Sequence, residues 1–124
     1  MNVRSFMDLD CWKMARAFRK DISLLAKTFP TEEKFGLVSQ IKRSSRSVTA
    51  NIAEGYGRYH HQENIQFCRV SRGSLSETLD HLTVALDEEY ISETQFEQYR
   101  NDLERCLKVL NGYINYLVKT KSDK

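Results

Sequence analysis

The sequence predicts an all-α fold, an up-down-up-down antiparallel four-helix bundle, and three observations carry that prediction. Apolar residues recur at spacings of three and four through four long segments. Only five glycines and one proline interrupt 124 residues, so few positions can break a helix. Hydrophobic residues make up 40% and charged residues 29%, which suits one folded domain spanning 1–124 with a single core.

The first predicted helix covers about 7–28, with Trp12, Ala15, Phe18, Ile22 and Leu25 on one face. Asp8 is its expected N-cap, and Pro30 ends it because proline cannot continue the hydrogen-bond ladder. The second covers about 32–55, with Thr31 as cap and Glu32 and Glu33 in the first turn, where carboxylates favour the positive end of the helix dipole. Its seam is Val38, Ile41, Ser45, Val48, Ile52 and Gly55, and the small residues Ser45 and Gly55 would let a neighbouring helix approach closely.

The third helix is expected over about 59–87, with Cys68, Ser71, Leu75, Leu79, Leu82 and Leu86 on one face. The fourth covers about 94–118, through Phe96, Tyr99, Leu103, Cys106, Leu110, Tyr113 and Leu117, with a frayed tail from Lys119 to Lys124. Phe35, Phe67, Tyr99, Tyr113 and Tyr116 widen these stripes. They suit either a broader core in one chain or a contact between subunits.

The net charge of +2 conceals a strong segregation. Residues 1–75 hold 13 Lys and Arg against 7 Asp and Glu, whereas 76–104 hold 9 acidic residues and one basic. Separate positive and negative surfaces suit an anionic partner or contact with further copies of the chain.

Several chemistries find no support. Cys11, Cys68 and Cys106 stand far apart without a CxxC pair, so they read as reduced core thiols. With no membrane-length apolar run and no signal-like N-terminus, a cytoplasmic location is expected and no membrane partner. A di-iron site would need Glu-x-x-His pairs, and none occurs; His81 after Glu77 and the pair His60 and His61 complete no ligand set. No metal, cofactor or catalytic residue is assigned, and a non-enzymatic role is expected. Gly55-Tyr56-Gly57 lacks the third glycine or the Gly-Lys-Ser/Thr of a phosphate loop. It reads instead as a helix end, with Gly55 or Gly57 in the left-handed conformation.

The suggestive chemistry is basic. Lys42, Arg43 and Arg46 cluster on the second helix, Arg58 with His60 and His61 flanks the turn, and Arg69 and Arg72 lie on the third. Each cluster has the spacing to neutralise phosphates, and Tyr56 and Tyr59 could stack on unpaired bases. The same charges could instead form salt bridges within or between subunits.

Four blocks give the chain a resemblance. They are Phe6-Met7-Asp8-Leu9 with Trp12 and Ala15; Phe29-Pro30 with Glu33, Gly36-Leu37 and Gln40-Ile41-Lys42-Arg43; Asn51-Ile52-Ala53-Glu54-Gly55 with Gly57-Arg58; and Gly73-Ser74-Leu75 with Glu77. Together these resemble the four-helix-bundle family typified by the 23S ribosomal RNA intervening-sequence protein, across nearly the whole chain. Ser44, Ser45 and Val48 depart from the usual pattern, as does Thr49 where proline is frequent.

The resemblance implies a homopentamer without assigned enzymatic activity. It also implies kinship with accessory proteins of diversity-generating retroelements, which bind a reverse transcriptase and nucleic acid through basic surfaces. Two readings follow: an oligomeric protein that binds RNA or DNA as an accessory to a polymerase or reverse transcriptase, or an oligomeric protein-interaction scaffold without nucleic-acid binding. Lys42, Arg43, Arg46, Arg58, Arg69 and Arg72 are the expected phosphate contacts. Asn51, Glu54, Gly55, Gly57, Gly73 and Glu77 are expected to be structural, with Asn51 and Glu54 partly buried and bonded to the turn or a neighbouring helix.

Overall fold

A computed structural model describes residues 3–120. Four helices follow one another: α1 (Asp10–Ala26), α2 (Leu37–Tyr56), α3 (His61–Asp87) and α4 (Glu93–Thr120). Each packs on the next and α4 closes against α1. With connections this short, consecutive helices run antiparallel in an up-down-up-down bundle. Ile22, Ile41, Ile52 and Leu82 are wholly enclosed at its centre, each contributing about 1.5–3 kcal/mol relative to exposure.

The helix starts differ from the sequence expectation for local reasons. Ser5, not Asp8, caps the first turn: its hydroxyl accepts from the Met7 amide at 3.1 Å, while the Asp8 carboxylate reaches back to the Arg4 and Ser5 amides. That reciprocal box closes a single 3-10 turn, Phe6–Asp8, before α1 begins at Asp10. Thr31 likewise caps nothing, because Thr31–Glu33 is a separate 3-10 turn and Gly36 stands before α2. Glu33 serves in place of a cap, its Oε1 accepting from the Leu37 amide at 3.1 Å. Tyr59 and His60 lie before α3, and α4 continues through Lys119 and Thr120, which were expected to fray; the remainder of that tail lies outside the described residues.

The most extensive helix contact joins α2 to α3, and it is built from small and hydroxylated residues. Ser44 shares a 2.7 Å hydrogen bond with Thr78, Ser71 donates to the Val48 carbonyl at 2.7 Å, and Ser74 donates to Ser47 at 2.9 Å. Ser44, Ser71, Ser74 and Thr78 are buried, so these bonds remove the penalty of enclosing their hydroxyls. At Gly55 the two helices come close: a Cβ there would stand 2.7 Å from Asn64 Oδ1, 2.9 Å from Phe67 Cβ and 3.0 Å from the Asn64 carbonyl oxygen. The seam role of Gly55 is therefore borne out.

Its expected role as a left-handed terminator is not. No glycine among the described residues has positive φ, and Gly57 ends α2 at φ −73° and ψ −7°, in the right-handed region. The helix stops through ordinary backbone bonds, Gly57 N–H to the Ala53 carbonyl and Arg58 N–H to the Gly55 carbonyl. Thr49 leaves α2 unbroken, its hydroxyl donating to the Arg46 carbonyl at 3.1 Å.

The seams shift by a position in places. Leu37, Ile65, Ala85 and Ile114 are buried, while Val38, Leu79, Leu86, Phe96, Tyr99 and Tyr113 are only half-buried around the core. Phe35 and Tyr116 are exposed, so they do not widen the core of a single chain.

Candidate nucleic-acid interface

The six predicted phosphate contacts fall into three settings. Lys42, Arg43 and Arg46 belong to one groove of about 520 Å³ along the first half of α2, completed by Lys34, Phe35, Val38 and Ser39. Val38, Lys42 and Arg46 step by four along one side of α2 with Ser39 and Arg43 one position on, and Lys34 and Phe35 join them from the turn before the helix. Among the described residues, no carboxylate forms an ion pair with Lys34, Lys42, Arg43 or Arg46.

Arg58 is engaged within the chain. Its guanidinium pairs with Glu54 at 3.1 Å and Glu63 at 3.7 Å, and lies 4.9 Å from the centre of the Phe67 ring. It therefore fastens the end of α2 to the start of α3. Arg72 is tied across the bundle, Nη1 donating to Asn111 Oδ1 on α4 at 3.0 Å. Arg69 is exposed on α3.

The structural residues also sort out. Asn51 is half-buried but bonds within its own helix, Nδ2 donating to the Ser47 carbonyl and hydroxyl, both at 2.9 Å. Glu54 is exposed and meets Arg58, one turn on, rather than backbone groups of the turn. Glu77 pairs with His81 at 3.2 Å on the surface of α3. Gly73 sits mid-helix on the exposed side, with nothing within 4 Å of where a Cβ would project.

The expected stacking residues divide as well. Tyr56 packs against the core, whereas Tyr59 is 78% exposed with its ring edge-on to His60. Two groove residues were missed by sequence reasoning. Lys34 and Phe35 precede α2, and Phe35 had been placed beside the apolar seam. It is 88% exposed, with the Lys34 ammonium 5.4 Å from its ring centre. Its place in the turn between Glu33 and Leu37, off the helical repeat, is the signal that could have found it. On α1, Arg16 and Arg19 lie 5.7 and 5.9 Å from the Trp12 ring, and Arg19 Nη1 is buried without a hydrogen-bond acceptor.

Elsewhere the chemistry is muted. Burial pushes the Cys11 and Cys68 thiols up to about 12 and Cys106 up to about 11, keeping all three protonated. No three His, Cys, Asp or Glu side chains converge on a common point among the described residues. No described helix is long and apolar enough to cross a membrane. The acidic stretch keeps its one arginine occupied, Arg100 pairing with Glu97 and Glu104, and it also engages the adjacent Arg105 through Asp102.

Comparison with known proteins agrees with this architecture. The chain is similar to a solved structure from Bacteroides thetaiotaomicron, a protein of unknown function from the S23 ribosomal protein family. The two share 28% identity over 85% of this chain and 95% of that one, with a TM-score of 0.78. No curated protein matches. The family model of the 23S rRNA-intervening sequence protein matches residues 7–112, from the capped first turn through the Arg72–Asn111 tie between α3 and α4. The bundle, its close-packed Asn51–Arg58 helix end and this match establish that the chain belongs to the 23S rRNA-intervening sequence protein family.

Proposed function

We propose that this chain is a non-enzymatic, self-associating bundle that binds RNA or DNA through the basic groove of α2. The observation carrying the proposal is the set Lys34, Lys42, Arg43 and Arg46, four cations in one groove without a carboxylate partner among the described residues. Arg58, Arg100 and Arg105 show that this sequence can pair its arginines internally. Cations left unpaired on a shared surface can exchange counterions for phosphates, and the entropy of counterion release favours binding. Lys42, Arg43 and Arg46 are the principal phosphate contacts in this reading, with Arg69 as an exposed auxiliary. Arg58 and Arg72 are assigned mainly to holding helices together.

Titration of a labelled RNA at several salt concentrations tests the proposal. The apparent affinity should fall steeply with salt, by about 0.7 of a logarithmic step per neutralised phosphate for each tenfold rise in salt with a single strand. The triple variant Lys42→Ala, Arg43→Ala, Arg46→Ala should flatten that slope and weaken binding. A wild-type chain that binds neither RNA nor DNA at low salt, or a triple variant that binds unchanged, refutes it.

Self-association rests on a second region. Val70 and Tyr116 are exposed, and Gly73 and Gly112 leave open space on α3 and α4 at nearby levels, as the Arg72–Asn111 bond shows. Such a surface admits another helix closely and supports self-association of the chain, with the pentamer taken from the family resemblance. It also suits a protein partner of the reverse-transcriptase kind, the basis of the scaffold reading. Light scattering after size exclusion checks the assembly, and the mass of a single chain would overturn it.

A further inference from the structure

We infer that the α2 groove selects single-stranded nucleic acid, with Phe35 as the platform on which one unpaired base stacks. The inference rests on the proposed nucleic-acid reading and adds a substrate class to it. Phe35 is 88% exposed, more than any other large hydrophobic side chain described, and it lines the same groove as the unpaired cations. An isolated surface phenylalanine requires no explanation. One set among Lys34, Lys42, Arg43 and Arg46, with Val38 beside it, has the composition of a single-strand site, in which cations follow the backbone and an aromatic face receives a base.

The groove's construction favours an unpaired strand over a duplex. Phe35 stands in the turn between Glu33 and Leu37, before the helix, while the cations extend along α2 from Lys42 to Arg46. At about 1.5 Å per residue, the nine helical steps from Leu37 to Arg46 span about 14 Å, and Phe35 extends the site beyond the first turn. That span fits a few nucleotides of extended strand, with a base at one end and phosphates along the rest. In a duplex the base faces are stacked on one another and closed to Phe35, leaving only the phosphate contacts.

Glu33 fixes the turn that presents the ring. Its Oε1 accepts from the Leu37 amide, and its Oε2 accepts from the Tyr90 hydroxyl at 2.8 Å. The first bond holds the backbone just after Phe35 and the second ties the Glu33 side chain to Tyr90 in the α3–α4 connection, so a base meets a positioned ring rather than a wandering one.

Fluorescence anisotropy with a labelled single-stranded RNA of about 12 nucleotides, and with the same strand in duplex, tests this. The full chain should bind the single strand more tightly. Phe35→Ala should weaken single-strand binding about 5- to 100-fold, leave duplex binding and the salt slope unchanged, and be rescued by Phe35→Trp. Circular dichroism and light scattering on Phe35→Ala accompany the titration.

Equal loss on both ligands, or no loss on the single strand, overturns the stacking inference while salt-dependent binding leaves the nucleic-acid reading standing. A Phe35→Ala chain of reduced assembly mass also overturns it, since the ring would then be a contact between copies or with a protein. Failure of the wild-type chain to bind either ligand at low salt refutes both proposals together.

Discussion

The two ends of α2 carry the same kind of charge and treat it in opposite ways. At the C-terminal end, Arg58 is engaged by Glu54, Glu63 and the Phe67 ring, beside the close helix approach at Gly55. At the N-terminal end, Lys34, Lys42, Arg43 and Arg46 line an open groove with an exposed phenylalanine. One end spends its cation on holding helices together, and the other leaves its cations to solvent. A basic residue in a sequence is thus a charge, but whether that charge is available depends on what the fold places next to it.

The sharpest way to break this comparison is at Gly55. In a solvent-facing helix, Gly→Ala stabilises by up to about 1 kcal/mol. Here the added Cβ meets the Phe67 Cβ and the Asn64 backbone carbonyl, which cannot rotate away. Gly55→Ala should therefore destabilise the bundle by about 1–3 kcal/mol, lowering the urea midpoint with little change in m. A raised midpoint would show that α2 and α3 are not locked at this level.

Arg58→Ala is expected to cost about 1 kcal/mol, the sum of two half-exposed ion pairs and a cation–ring contact. It should leave RNA affinity nearly unchanged, in contrast to the triple variant of the groove. Should Arg58→Ala lower affinity with no change in thermal midpoint, the two ends would have to exchange roles.

Gly73 gives a smaller effect of opposite sign. Its side of α3 is open, so Gly73→Ala should raise stability by about 0.5–1 kcal/mol in thermal unfolding, if measured on the dissociated chain. Loss of assembly mass on the same substitution would locate another copy's backbone against this glycine.

The smallest expected change appears only in acid. The Leu37 amide and then the Tyr90 hydroxyl hold the Glu33 carboxyl below its ordinary value of 4.5. A depressed carboxylate stabilises the fold above its unfolded value, and that contribution is lost as pH falls through the folded one. The difference in thermal midpoint between the native chain and Glu33→Gln should accordingly shrink as pH drops below about 4.5. A difference constant from neutral pH to pH 3 would remove Glu33 as the ionic anchor of this corner.

Much of this was legible in the sequence. The spacing of Trp12, Ala15, Phe18 and Ile22, or of Ser71, Leu75 and Leu82, places those residues on one helical face, and all of them are buried. Gly55 was recognisable as a seam position because it continues the steps from Ile41 through Val48 and Ile52. The helix starts were less legible: Ser5 and Asp8 close a 3-10 turn, and Glu33 rather than Thr31 bonds an amide at the start of α2. Capping depends on which side chain reaches an amide in space, and several nearby residues in each stretch had the chemistry to do so.

What the sequence determined by itself is the all-helical bundle, its small-residue α2–α3 seam and the segregation of charge, because these depend on local periodicity and on the order of residues. What the tertiary structure alone decided is which charges are free. Arg58 meets Glu63 and Phe67 only after the chain reverses, Arg72 meets Asn111 only across helices, and Phe35 is left outside only once Leu37 and Ile41 have filled the core. Such partnerships depend on distances between residues remote in sequence, and the helical repeat fixes a direction for each side chain without fixing what stands opposite it.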